Sequence, residues 1–232
     1  MRTFSAMGRF EGKAGRAALL GIGLLAALAV AQQVALPRIA ASRISSRVGR
    51  YGHVQSVSVS AWPAIELLWG QADSVTVRAG SLSLSPQQAA SLLWEGRGVS
   101  RMELRAATVR LGSLQLRDAS LSQRGGQLTA RAQATKEAVG TALPLGVSVS
   151  LLGSGGGKVE VLATGQLFGV GASVQAVAEA SKGRLVAHPL GLLLEGFQLT
   201  LFANDHVSIE GVGATASAGG SAYALTMTAR LR

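Results

Sequence analysis

The sequence predicts an α+β fold in which a strongly curved antiparallel sheet wraps around one long helix, with a few short helices beside it. From Met102 onward, apolar residues recur at every second position in short runs separated by glycine-rich turns, which is typical of half-buried strands. Only the segment after Pro37 has the length and the apolar stripe of a helix able to cover much of such a sheet. A large sheet with so little helical cover must curl around that helix or close on itself.

An uncharged stretch from Ala17 to Leu36 precedes the predicted domain. Its 20 residues would span roughly 30 Å as a helix, about the thickness of the hydrocarbon layer of a bilayer. The basic residues before it predict that residues 1–16 stay in the cytoplasm and that residues 37–232 are exported as a single domain. The stretch is either a retained transmembrane anchor or a signal peptide, since Ala29-Val30-Ala31 resembles a cleavage site. The domain is therefore expected on the extracytoplasmic face of the plasma membrane, or secreted.

The predicted long helix runs from Pro37 to about Gly49 and carries an apolar stripe that includes Ile44 and Val48. Three arginines follow one flank of this stripe: Arg43, Arg47 and Arg50. Such a pattern fits a helix lying in a membrane interface or a core helix with solvated arginines. The core helix is favoured, because the sheet that follows needs a helix to cover its apolar face.

Residues 57–77 are predicted to form a strand, a short apolar helix and a second strand. Pro63 suits the first position of a helix, and Gly70 is placed to end it. The short helix from Ala64 to Trp69 is apolar on nearly every side. It must be buried, lie in a lipid interface or line an apolar cavity.

This block resembles the LmeA-like family of phospholipid-binding envelope proteins of high-GC Gram-positive bacteria. The resemblance lies in Trp62-Pro63-Ala64-Ile65 and Leu67-Leu68-Trp69-Gly70, and residues 223–231 look like the closing strand of the family. It covers roughly residues 36–232. It implies a fold related to the tubular lipid-binding proteins, an apolar cavity for acyl chains and a role in building envelope lipoglycans.

A second helix is predicted after residue 85. Ser85 is placed as its N-cap, Pro86 follows in the first turn and Gly96 ends it. Leu92 and Leu93 belong to its apolar stripe, whereas Trp94 lies off that stripe. Further along, Thr135 is expected to cap a short helix that ends near Leu143-Pro144, and Gly125-Gly126 is expected to form a hairpin turn. The later predicted strands are residues 147–151, 159–163, 172–178, 197–201, 207–209 and 223–231.

The net charge of +10 is concentrated in the first half of the domain. Residues 38–136 carry 13 basic groups against 5 acidic ones, whereas residues 137–232 carry 5 against 6. A one-sided positive field favours anionic lipid head groups or nucleic acid. Export argues against nucleic acid as a partner. The alternative is a solvated arginine-rich face without a partner.

No residue pattern in the chain points to catalysis. Cysteine is absent, and His53, His188 and His206 are isolated from one another and from paired carboxylates. The glycine-rich run at 153–158 lacks the spacing of a phosphate-binding loop. We therefore expect no enzyme activity, no cofactor and no metal site.

The sequence thus favours an exported, membrane-associated protein that binds an anionic phospholipid as an accessory of envelope lipid or lipoglycan biogenesis. The alternative is a non-catalytic structural or assembly factor of the cell envelope that contacts envelope proteins or glycans and has no lipid cavity. The residues expected to contact acyl chains are Ile44, Val48, Trp62, Ile65, Leu68, Trp69, Leu92, Leu93 and Trp94. The arginines expected at the head group are Arg43, Arg47, Arg50, Arg78 and Arg97.

Overall fold

The computed structural model describes residues 35–62, 64–142, 147–167, 170–191, 196–217 and 219–232. The chain is helical over residues 35–49 (α1), forms a 3₁₀ helix at Ala64–Trp69, and has two further α-helices, Pro86–Glu95 (α2) and Lys136–Ala142 (α3). The first strands are β1 (Gly52–Ser60), β2 (Ala72–Leu84), β3 (Val99–Leu111), β4 (Leu114–Arg124), β5 (Gln127–Thr135) and β6 (Ser148–Gly155). The remaining ones are β7 (Lys158–Leu167), β8 (Val170–Ser181), β9 (Arg184–Leu190), β10 (Leu199–Phe202), β11 (Val207–Ala216) and β12 (Ala222–Leu231).

The strands form two sheets, whereas the sequence predicted one. The first sheet has the order β1-β2-β3-β4-β5-β12-β11, and the second has the order β10-β9-β8-β7-β6. Pairing is antiparallel throughout except between β2 and β3, which run parallel. The parallel pair arises because α2 lies between β2 and β3 and returns the chain to the same end of the sheet. The expectation of a wholly antiparallel sheet is therefore wrong at this point.

Helix α1 covers one end of the first sheet and does not serve as an axis for it. Its Ile44 and Val48 pack on the buried side chains of Val59, Val75 and Val77. The described part of α1 is roughly 22 Å long, whereas seven paired strands extend over about 30 Å. The prediction of a sheet wrapped around one long helix is wrong, because the described part of α1 packs beside β1 and β2 and does not reach across the other strands.

The second helix forms as its capping residues predict. The Ser85 hydroxyl accepts a hydrogen bond from the backbone N–H of Gln88 at 3.1 Å, and the Gln88 side chain accepts one from the Ser85 N–H at 2.7 Å. Pro86 occupies the first turn and Gly96 is the C-cap. The buried residue of the helix is Ala90, which belongs to the same core cluster as Leu128 and Ala229 of the first sheet.

The hairpin turns of the second sheet abut β11, the edge strand of the first sheet. The N–H of Ile209 donates to the Gly183 carbonyl at 2.9 Å, and the N–H of Val212 donates to the Gly157 carbonyl at 3.0 Å. Both turn glycines have positive φ, 78° for Gly183 and 79° for Gly157, which a side chain would disfavour. Between β11 and the second sheet, the Ala214 N–H also donates to the Ser154 hydroxyl at 3.0 Å.

Other local predictions hold with changed limits. The hairpin turn at Gly125-Gly126 is present, with positive φ at both residues. Thr135 accepts a hydrogen bond from the N–H of Ala138 and so caps α3, while the end expected near Leu143-Pro144 lies outside the described residues. Strand β9 was not predicted, because His188 and Pro189 interrupt its apolar pattern.

Among the described residues, none of the helices combines the length and the hydropathy that crossing a membrane requires. The predicted anchor or signal segment, residues 17–36, lies outside the described residues apart from its last two positions.

Candidate lipid-binding site

The inner face of the first sheet, on which the helices pack, is apolar but incompletely covered. Leu104, Leu121, Ala130 and Met227 stand in register on four neighbouring strands, and we call these four residues the inner row. Each side chain of the inner row is half-buried, whereas Val77 beside it, under α1, is buried. The inner row is therefore an apolar strip with surface left to cover.

A single amide interrupts this apolar face. Gln123 is the one fully buried polar side chain among the described residues, and its register neighbours are Met102 and Leu128. Its Nε2 lies 3.4 Å from the Val99 carbonyl oxygen, and its Oε1 has no hydrogen-bond partner among the described residues. Sequence reasoning missed Gln123, although its position two residues after Leu121 places it on the inner face.

The arginines of α1 lie together, as predicted. Arg43, Arg47 and Arg50 are exposed along one side of the helix, where they line a shallow groove of ≈ 400 Å³ with Ser42 and Ser46. The Nε of Arg47 lies 3.2 Å from Oε2 of Glu95 at the end of α2. This ion pair links the two helices that cover the sheet.

In the segment 57–77, the side chain of Trp62 is exposed. Trp62 is 75% exposed, and its backbone N–H donates to a carboxylate oxygen of Asp73 at 2.7 Å. The backbone of Ala64–Trp69 forms a 3₁₀ helix, and Leu67 packs against the buried valines under α1. The side chains of Ile65, Leu68 and Trp69 lie outside the described part of the structure.

The third tryptophan lies between two cationic or ionisable side chains. The indole ring of Trp94 stacks on the ring of His206. The guanidinium of Arg97 lies over the same indole ring, 4.4 Å from its centre. An Nη1–H of Arg97 also donates to the Trp94 carbonyl at 3.1 Å. Leu93 packs on the core cluster of the first sheet, and Leu92 is half-buried. No local sequence signal pointed to His206.

The structure separates one predicted head-group residue from the others. Arg78 is exposed on β2 between the buried residues Val77 and Ala79, so its side chain lies on the outer face of the sheet. Arg43 and Arg47 lie on α1, which covers the inner face. The predicted head-group set therefore divides between the two sides of the first sheet.

Within the described residues, no three His, Asp or Glu side chains lie close enough together to hold a metal ion. The arrangement offers an apolar strip, a groove with three arginines, and the stacked rings of Trp94 and His206 at the end of α2.

Comparison with known proteins identifies a family. No curated protein and no solved structure matches the chain. The family model described as LmeA-like phospholipid-binding matches residues 26–216, which is most of the sequence. The chain belongs to the LmeA-like phospholipid-binding family.

Proposed function

We propose that this protein binds an anionic phospholipid and lays its acyl chains along the inner face of the first sheet. The observation that carries the proposal is the half-buried inner row, Leu104, Leu121, Ala130 and Met227, in a member of a phospholipid-binding family. Apolar surface left open beside buried core is the feature an acyl chain would cover. Each buried methylene contributes about 0.8 kcal/mol, so even part of one chain supplies useful affinity.

The α1 groove is the proposed position of the head group. Arg43 and Arg50 are exposed and unoccupied by any ion pair among the described residues, and Arg47 already holds the Glu95 carboxylate. A lipid phosphate would accept charge-assisted hydrogen bonds from the first two and compete with Glu95 for the third. Trp62, Trp69, Leu92 and Trp94, with Ile65 and Leu68, are the further apolar contacts of this proposal.

The proposed setting is the extracytoplasmic face of the membrane. It rests on the uncharged segment at residues 17–36 and on the basic residues before it. The proposal also includes an accessory role in envelope lipid or lipoglycan biogenesis, which is based on the sequence resemblance alone.

The test is mass spectrometry of the purified full-length protein under native conditions, followed by organic extraction. We expect a bound species that releases a phospholipid. Leu121→Trp would fill the inner row and lower the bound fraction, whereas Gln115→Trp places the same bulk at an exposed position of the same strand, outside the inner row. Equal lipid content in the two variants, or an apo mass that persists after incubation with anionic vesicles, contradicts the proposal.

A second candidate is a lipid-free assembly factor of the cell envelope. The observation that favours it is β10, the last strand at one side of the second sheet, where Leu199 and Leu201 are 53% and 47% exposed, with Phe197 just before it 64% exposed. An apolar edge strand can pair with a strand of another protein. This candidate predicts no extractable lipid and no change of tryptophan fluorescence when anionic vesicles are added.

A further inference from the structure

The outer face of the first sheet carries a group of arginines that the proposed lipid site does not use. Arg78, Arg101, Arg105, Arg124 and Arg131 alternate along β2 to β5 with inward residues, and we call these five residues the outer arginine patch. All five are exposed, and none forms an ion pair among the described residues. The patch is therefore a surface with an excess of positive charge, in which Glu103 is the carboxylate between Arg101 and Arg105 on β3.

The register of the strands places like charges directly beside each other. Arg78 is the neighbour of Arg105 in the parallel β2–β3 pair, and Arg101 is the neighbour of Arg124 in the antiparallel β3–β4 pair. Like charges at directly opposed positions destabilise a sheet. Neighbouring strands are about 5 Å apart, well inside the screening length of roughly 8 Å at physiological salt. An anion bound across these pairs would relieve the repulsion.

A shallow pocket lies within the patch. It has a volume of ≈ 160 Å³, and Leu104 and Leu121 contribute to its lining. Its polar lining residues are Arg105, Arg131, Glu103 and three hydroxyl side chains, Ser120, Ser122 and Thr129. Ser120 stands in register between the two arginines. Hydroxyl donors between two guanidinium groups match the oxygen atoms of a phosphate, while Glu103 opposes a negative charge.

The extent of the patch decides which kind of anion it fits. From Arg78 to Arg131 the patch crosses three strand spacings, roughly 14 Å, and from Arg101 to Arg105 it runs about 13 Å along β3. A face this wide presents several separate positive points in one layer. One small anion would engage two of them, whereas a bilayer surface presents many phosphates in a plane. Arginines near an anionic bilayer surface each add to the attraction.

We propose that the outer arginine patch docks the protein on the surface of a bilayer that contains anionic phospholipids. The inference rests on the proposed membrane association, yet it concerns the face of the sheet opposite the inner row. Docking through the patch would hold the sheet against the head groups and leave the helix-covered side facing away from them. Arg78 acts in this surface and not at the head group of the bound lipid.

The test uses a single fluorescent label, since the chain has no cysteine of its own. Ser122→Cys places the label in the pocket of the patch, and Gln87→Cys places it on exposed α2 on the other side of the sheet. The full-length protein is reconstituted in vesicles of phosphatidylcholine with a spin-labelled head group, with or without phosphatidylglycerol. We expect phosphatidylglycerol to increase quenching at residue 122, with no change at residue 87, and added salt to reverse it.

Charge variants test the arginines themselves. Replacing Arg78, Arg105 and Arg131 together by Gln should weaken docking roughly a hundredfold, at about fivefold for each arginine. The matched control replaces the exposed residues Lys136, Lys182 and Arg184 by Gln and should leave docking nearly unchanged.

Several outcomes overturn the inference. Equal quenching in neutral and anionic vesicles excludes an anionic bilayer as the partner. A response of the label to inorganic phosphate or to soluble polyphosphate, with none to vesicles, assigns the patch to a soluble anion. Lipid extraction from the same preparations keeps the two proposals apart, because the triple Arg→Gln variant should retain its bound phospholipid. Docking without extractable lipid would reject the proposed function and leave the inference standing.

Discussion

The indole ring of Trp94 stacks on the imidazole ring of His206, with centroids 4.5 Å apart and planes 13° from parallel. Trp94 belongs to α2, and His206 lies just before β11. The stack therefore joins the crossover helix of the parallel strand pair to the far edge strand of the same sheet. Arg97 completes a three-layer arrangement with a cation over the indole ring.

Replacing Trp94 by Leu should lower the free energy of unfolding by about 1–2 kcal/mol, because the ring stack and the cation–π contact are both lost. Denaturant unfolding followed by circular dichroism measures the change. Trp62→Leu is the matched control, since Trp62 is 75% exposed and its loss should cost less than about 0.5 kcal/mol. Equal losses in the two variants would show that the stack contributes nothing.

Ser85→Ala should destabilise the protein by about 1 kcal/mol, because the N–H of Gln88 loses the hydroxyl that accepts its hydrogen bond at the start of α2. Ser83→Ala removes the same hydroxyl from an exposed position of β2 only two residues away and should have little effect. The difference between the two midpoints of thermal unfolding measures the contribution of the cap. A Ser85→Asp variant should recover most of the loss, since an aspartate caps as well as a serine.

Gln123→Met should leave the protein as stable as before or raise its free energy of unfolding by about 1 kcal/mol. The amide is buried with an unpaired Oε1 among the described residues, and methionine fills a similar volume without a polar group to satisfy. The measurement is urea unfolding, with Gln133→Met on the exposed side of β5 as the control. If Gln123→Met instead lowers the free energy of unfolding by several kcal/mol, the Gln123 amide must make a hydrogen bond beyond the contact with the Val99 carbonyl.

Glu179 should contribute stability that disappears in acid. The Lys158 ammonium donates a hydrogen bond to its carboxylate across 2.6 Å and holds the pKa of Glu179 below its ordinary value, and His188 at 3.4 Å acts in the same direction. Because the folded pKa is lowered, this stability is complete above the ordinary glutamate pKa of about 4.3 and is lost as the pH falls through the lower folded value.

The measurement is the pH dependence of unfolding for Glu179→Gln against the parent protein. The variant should be less stable at neutral pH, and the difference should shrink as the pH falls below about 4. Glu160→Gln removes an exposed carboxylate from the neighbouring strand without touching this ion pair and serves as the control. A difference that stays constant down to strong acid would contradict the assignment.

Features that depend on residues close together in the sequence could be predicted. Features that depend on contacts between distant residues could not. Ser85, Pro86 and Gly96 fixed the limits of α2 because capping depends on residues within one turn. Strand β9 was not predicted, because Pro189 interrupts its apolar pattern. The parallel pairing of β2 and β3 was not predicted either, because no residue near these strands indicates it. The stack of Trp94 on His206 joins two parts of the chain that only the finished fold brings together.

The candidate site was predictable to the same extent. Arg43, Arg47 and Arg50 lie along one helix flank because helical spacing alone places them there. The inner row needs the register of four strands, including β12 from the end of the chain, and so could not be read from any one segment. The separation of Arg78 from the arginines of α1 could not be predicted, because alternation along β2 assigns Arg78 to a face but does not say which side α1 will cover.

The carbonyl groups of Gly183 and Gly157 accept hydrogen bonds from β11. These bonds also affect aggregation and thermal unfolding of the protein. They occupy backbone donors at which a strand of another molecule could otherwise add, so this side of the first sheet is closed to aggregation by strand addition. They also make the order of β11 depend on intact turns in the second sheet. Heating should therefore unfold both sheets in one cooperative transition. If the second sheet unfolded alone, the backbone N–H groups of β11 would lose their hydrogen-bond acceptors in its turns and would have to bond to water instead.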